Sequence, residues 1–190
     1  MGFKKMKRTL EYKEYLLEIA DSDGLFTWET KVPGQYTIEI QGHPNIISEF
    51  KEFVPKKDIE LYQKTVKKID VYEWSMFTED DVSKNFLQTG WNTPFSIMSS
   101  VMETWDDFID TEKPDVIFLY CKPKPGEEFS KKTKRAKLYE PYISKRIENK
   151  WKKYEYLFNN NYIFIYRKGI KVFQLVNFLI VDRFIEDNPE

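Results

Sequence analysis

The side chains best able to do chemistry in this chain are charged, and they are segregated. Glu103, Asp106, Asp107 and Asp110 stand three and four residues apart in a stretch with helical periodicity, so their carboxylates are neighbours on one helix face. Such a set can hold a divalent cation. No histidine supports it, however, and an acidic surface facing solvent or docking a basic partner accounts for the same residues without an ion. The opposite set begins with Lys131, Lys132, Lys134, Arg135 and Lys137 and continues through Lys145, Arg146, Lys150, Lys152 and Lys153. Phe129, Tyr142, Trp151 and Tyr154 are interleaved with it, a pattern that suits phosphate contacts and base stacking and points to nucleic acid or an acidic partner. A solvated helix face balanced by the acidic half is the plainer account, because the chain as a whole has a pI near 6.0.

The segregation is large. Residues 70–115 hold eleven acidic and two basic side chains, whereas residues 122–153 hold twelve basic and four acidic. Across all 190 residues the formal charge is only −1, so the two halves of the charge either polarise the molecule or face each other. One histidine, His43, and one cysteine, Cys121, exclude an internal disulfide and a zinc module of their own. His43 sits between Gly42 and Pro44 in an expected loop and has no nameable catalytic partner; Cys121 closes an apolar run and reads as a buried thiol. There is no Walker loop, no Gly-x-Ser-x-Gly elbow and no paired-histidine motif. Hydrophobic residues at 41% and aromatics at 17% are enough for a core, and no apolar run reaches membrane-spanning length. The expectation is one soluble domain of cytoplasmic type with no membrane contact.

The elements that must position these residues follow from periodicity. Period-two runs at 10–19, 25–32 and 35–40, separated by Asp21–Gly24 and Pro33-Gly34, predict a three-stranded meander within residues 1–42. Residues 45–69 predict two short helices, one on Ile46, Ile47, Phe50 and Phe53 and one on Ile59, Tyr62, Val66 and Ile69, with Pro55 between them. A strand is expected at 71–79. A helix follows at 94–110, with Thr93 as cap, Pro94 in the first turn, and Met98, Val101, Met102, Trp105, Phe108 and Ile109 as its apolar stripe. The run 115–121 reads as a strand covered on both faces in the middle of the sheet. A helix over 133–148, kinked or restarted at Pro141, and a hairpin over 154–166 complete the α+β pattern: a mixed, mostly antiparallel sheet with helices packed on it. The apolar segment 170–190 is compatible with helix or strand; its density of Val, Ile and Phe favours a strand that is buried or meets a second copy of the chain.

The order of elements over 71–166 resembles the cofactor-binding half of the GCN5-related N-acetyltransferase fold. In that family a Gln/Arg-x-x-Gly-x-Gly/Ala turn presents backbone amides to the coenzyme A pyrophosphate at a helix N-terminus. The matching stretch here is QTGWNTP, so the resemblance implies Gln88, Gly90, Asn92 and Thr93 as cofactor-binding residues and acetyl-CoA as cofactor. The Gln88-to-Gly90 spacing is one residue short, and Trp91 and Thr93 stand where small residues are the pattern. The run RAKLYEPYI resembles the family's Ala-x-x-Leu-Tyr helix, which implies Tyr139 as the general acid toward the departing thiolate. Residues 85–166 are also similar to small proteins of tailed bacteriophages. Together these resemblances imply an accessory protein that acts by macromolecular binding without catalysis, in host takeover, as an inhibitor or as part of the virion. Its place would be the cytoplasm of the infected cell, or the virion. The alternatives are an acetyl-CoA-dependent N-acyltransferase and a nucleic-acid-binding protein using 122–153.

Overall fold

A computed structural model describes residues 26–54, 69–80, 94–123, 126, 132–159 and 161–187. The expected strand at 10–19, the helix on Ile59 to Ile69 apart from its last residue, and the loop around Gln88–Gly90 lie outside the described residues. Seven strands form one mixed sheet: β1 (Trp28–Val32), β2 (Gln35–Ile38), β3 (Ile46–Glu52), β4 (Val71–Thr78), β5 (Val116–Tyr120), β6 (Tyr154–Asn159) and β7 (Tyr162–Arg167). Their order across the sheet is β1-β2-β3-β4-β5-β7-β6, antiparallel throughout except for the parallel pair β4 and β5. A parallel pair needs a crossover, and it is supplied by α1 (Pro94–Glu112). The helix α2 (Lys134–Asn149) links β5 to β6, and α3 (Val172–Asp187) follows β7.

The N-terminal strands form the expected meander, turning at Pro33-Gly34. Gly34 has φ +76°, and a Cβ there would lie 2.6 Å from the Phe50 carbonyl oxygen. Only glycine accommodates both conditions. The segment beginning at Ile46 departs from expectation: it is strand β3, not a helix, paired to β2 on one side and to β4 over seven residues on the other. The helical spacing of Ile46, Ile47, Phe50 and Phe53 misleads because the buried period-two set contains a polar member. Ile46, Ser48 and Phe50 point toward the helices, and Ser48 is fully buried. Its hydroxyl accepts from Trp74 Nε1 at 3.0 Å and lies 2.9 Å from Thr104 Oγ1. Thr104 spends its own proton on the Val101 carbonyl at 2.7 Å, so Ser48 is the donor to Thr104.

The sheet divides two cores. On one face α1 and α2 bury Ile97, Met98, Val101, Met102, Trp105 and Phe108 against Phe50, Trp74, Ile117 and Leu119. Phe50 stacks on Phe108 at 4.0 Å, and Trp105 lies edge-on to Phe50 and Trp74 at 5.2 and 5.1 Å. On the other face Val71, Val116, Phe118 and Phe164 meet α3. β5 sends alternate residues into each core, which is why it reads as a continuous apolar run; it lies fifth of seven strands rather than at the centre.

Two further expectations change. Residues 172–187 are a helix, not a strand: Val172, Leu175, Val176 and Leu179 are buried at spacings of three and four while Phe173, Gln174 and Asn177 face outward. The bare face of β5 and β7 decides it, since each buried aliphatic side chain contributes about 1.5–3 kcal/mol. Pro141 neither ends nor restarts α2, which is one helix capped by the Thr133 side chain on the Ala136 N–H at 3.2 Å.

Candidate functional site

The parallel pair defines the first candidate. β4 and β5 share only three register pairs, Val71↔Val116 to Glu73↔Phe118, although β4 continues to Thr78 and β5 to Tyr120. Among the described residues no further rung joins them, so the strands part toward their carboxyl ends, where open α/β sheets bind ligands. Tyr139 and Arg135 come to this end from the first turns of α2, one helical turn apart, and Cys121 from the end of β5. The Arg135 charge is close enough to act on both the thiol and the phenol. Its Nε is buried with no acceptor.

Burial disfavours the charged form of both the thiol and the phenol here. Burial pushes the Cys121 thiol up to about 12, against a smaller opposing pull from Arg135. Tyr139 is 6% exposed and packs edge-on to Trp74 at 5.6 Å, and burial raises its phenol well above the ordinary range. The positions implied for cofactor binding, Gln88, Gly90, Asn92 and Thr93, lie outside the described residues, as does Lys131.

The remaining basic candidates differ in their surroundings. Lys132 is held by both oxygens of Glu140 at 2.7 and 2.8 Å and sits 4.6 Å over the Phe158 ring. Arg135 turns partly inward, which leaves Lys134 and Lys137 as the exposed members of the set. Two members of the acidic set are engaged by other residues. Asp106 receives Lys150 and Trp151, and Asp107 accepts the Tyr36 hydroxyl at 2.8 Å. Among the described residues no three of His, Cys, Asp and Glu gather as metal ligands. His43 is exposed in the turn after β2.

A second candidate lies at the other end of the sheet. Lys113, Lys150, Lys152, Lys153 and Arg167 line a concavity of about 310 Å³ with Ile109, Trp151 and Tyr154 in its wall and Asp110 as the one acid. Lys113 has φ 51° at the end of α1, where its N–H reaches the Ile109 carbonyl at 3.1 Å in a left-handed helix stop. Arg167, at the end of β7, pairs with Asp115 and donates to the Lys113 carbonyl at 3.2 Å. The Lys168 N–H reaches the Lys153 carbonyl at 2.8 Å, and the Tyr154 hydroxyl reaches the Pro114 carbonyl at 2.9 Å. Three chain segments far apart in sequence are thereby fixed around one hollow.

Sequence reasoning includes Lys150, Lys152 and Lys153 in the basic run but misses Lys113 and Arg167. Lys113 belongs to the acidic half, and Arg167 lies beyond the hairpin. No local pattern links them; the only signal was the Lys113-Pro114 helix stop. No described helix is long and apolar enough to cross a membrane. No family model, no curated protein and no solved structure matches this chain.

Proposed function

We propose that this chain is an acetyltransferase-like scaffold that acts by binding another macromolecule rather than by catalysis, in the accessory role implied by its resemblance to small phage proteins. One observation carries the reading. Tyr139, the residue the resemblance assigns as proton donor, is packed against Trp74 in a continuous aromatic core with Trp105 and Trp151. A donor to a departing thiolate must touch it, and a buried phenol of raised pKa gives up its proton reluctantly. The partner is a protein, met through the exposed cations of α2 and of the turn that follows it, Lys137, Lys152 and Lys153.

One feature favours a second reading, an acetyl-CoA-dependent N-acyltransferase. The parting of β4 and β5 beyond Glu73 and Phe118 offers strand edges between which an extended, amide-bearing ligand could lie, with Arg135 beside it.

Calorimetric titration with acetyl-CoA and with coenzyme A, with a light-scattering mass on the same sample, separates the two. The binding reading expects no saturable heat from either compound. Micromolar binding that displaces Tyr139 from its packing, with turnover lost in Tyr139→Phe, would replace it by the enzyme.

A further inference from the structure

From the concavity at the ends of α1, α2 and β7 we infer a binding site for a small phosphate-bearing ligand. This goes beyond the binding reading above and does not depend on it. Lys113, Lys152 and Lys153 are exposed and line the same hollow, and among the described residues no carboxylate pairs with any of them. Lys150 and Arg167 beside them are held by Asp106 and Asp115. Against the single lining carboxylate of Asp110, three unpaired ammonium groups leave an excess that a phosphoryl dianion balances and a lone carboxylate does not. The negative ends of α1 and α2 account for Lys113 and Lys150. Lys152 and Lys153 lie past the last turn, where that attraction has faded.

A second observation points the same way. Arg146 is 2% exposed, and its Nε and Nη2 have no hydrogen-bond acceptor. Its nearest acid is Asp106, 3.6 Å away and beyond hydrogen-bond reach, whose two oxygens accept from Lys150 Nζ and Trp151 Nε1 at 2.8 Å each. Buried donors are nearly always satisfied, so these two guanidinium nitrogens leave the node short of acceptors. A phosphoryl oxygen drawn to Lys150 gives that ammonium a second acceptor and releases part of the Asp106 carboxylate to Arg146.

The hollow favours a compact ligand over a nucleic-acid strand. Trp151 and Tyr154 are only 3% and 5% exposed, so neither offers a face for base stacking. Its size lies at the lower end of small-ligand sites. Asp110 and the exposed Glu112 on the flanking end of α1 would repel an extended polyanion.

The test is calorimetric titration of the full chain with inorganic pyrophosphate, repeated with the Lys152→Ala/Lys153→Ala double variant. Lys134→Ala/Lys137→Ala, at the opposite end of α2, is the charge-matched control. All four lysines are exposed, and an unchanged melting temperature in both variants keeps the comparison one of binding. Saturable binding that weakens about tenfold in the first variant and stays within about twofold in the control supports the site. No saturable heat at millimolar pyrophosphate, or equal weakening in both variants, overturns it. A thymidine oligomer of about 20 nucleotides that binds more tightly than pyrophosphate, with equal loss in both variants, overturns it in favour of a strand-binding surface.

Discussion

The Asp106 carboxylate accepts the indole N–H of Trp151 at 2.8 Å, joining the middle of α1 to the turn between α2 and β6. Trp151 also stacks on Trp105 at 5.8 Å, so one ring is held by an apolar neighbour and a charged one at once. The same carboxylate receives Lys150 and is the only acid within ion-pair distance of the buried Arg146 among the described residues.

Removing that carboxylate should therefore cost more than a surface ion pair. Asp106→Ala leaves the Arg146 guanidinium buried with no counter-charge, a situation typically worth about 3 kcal/mol or more. Urea denaturation followed by tryptophan fluorescence measures it. A loss below about 1 kcal/mol would mean that Arg146 reaches water in solution and that the node is an ordinary exposed pair.

Ser48→Ala tests the polar link between β3, β4 and α1. Trp74 Nε1 loses its acceptor and Thr104 Oγ1 its donor inside the core, so about 1–3 kcal/mol should be lost. The denaturant slope should not change, because the surface exposed on unfolding is the same. An unaltered midpoint would refute the link.

Gly34→Ala should destabilise the β1–β2 hairpin through both backbone and contact. A left-handed non-glycine residue costs about 1–2 kcal/mol, and the new Cβ would stand 2.6 Å from the Phe50 oxygen, forcing β3 to shift. Thermal melting checks the sign. Gly42 also has positive φ but nothing near its absent Cβ, so Gly42→Ala should cost only the backbone part.

Alkaline pH should weaken the fold by a route that Cys121 makes measurable. Its folded pKa, about 12, is raised above the ordinary 9.0, so the folded state keeps a proton that the unfolded chain releases. The stabilisation is complete below pH 9 and is lost as pH climbs toward 12, at up to about 1.4 kcal/mol per pH unit for one such proton. Tyr36 and Tyr139, both raised by burial, add to the loss at higher pH. Chemical denaturation between pH 8.5 and 10.5 should show a shallower decline in Cys121→Ala than in the native chain. Equal slopes would place the thiol in contact with solvent.

Much of the fold was legible in local pattern. Pro33-Gly34 announced the first hairpin, Pro94 and the stripe from Met98 to Ile109 announced α1, and the unbroken run at 116–120 announced a strand covered on both faces. In each case a short window held both the period and its punctuation. Two segments misled because the deciding information lay elsewhere in the chain. In β3 a buried serine interrupts the apolar alternation, and only Trp74 and Thr104, brought up by β4 and α1, make that serine a core residue. In α3 the four-residue stripe was present but ambiguous, and the bare face of β5 and β7 selected the helix. The candidate sites divide in the same way. Residue types and charge segregation are properties of the sequence, but pairing is a property of distance. Tertiary packing spent Lys132 on Glu140 and Asp107 on Tyr36, sealed Tyr139 against Trp74, and brought Lys113 and Arg167 to the hollow beside Lys152 and Lys153. Charge falls off with separation in space rather than along the chain, so only the folded molecule could show which cations were left unpaired.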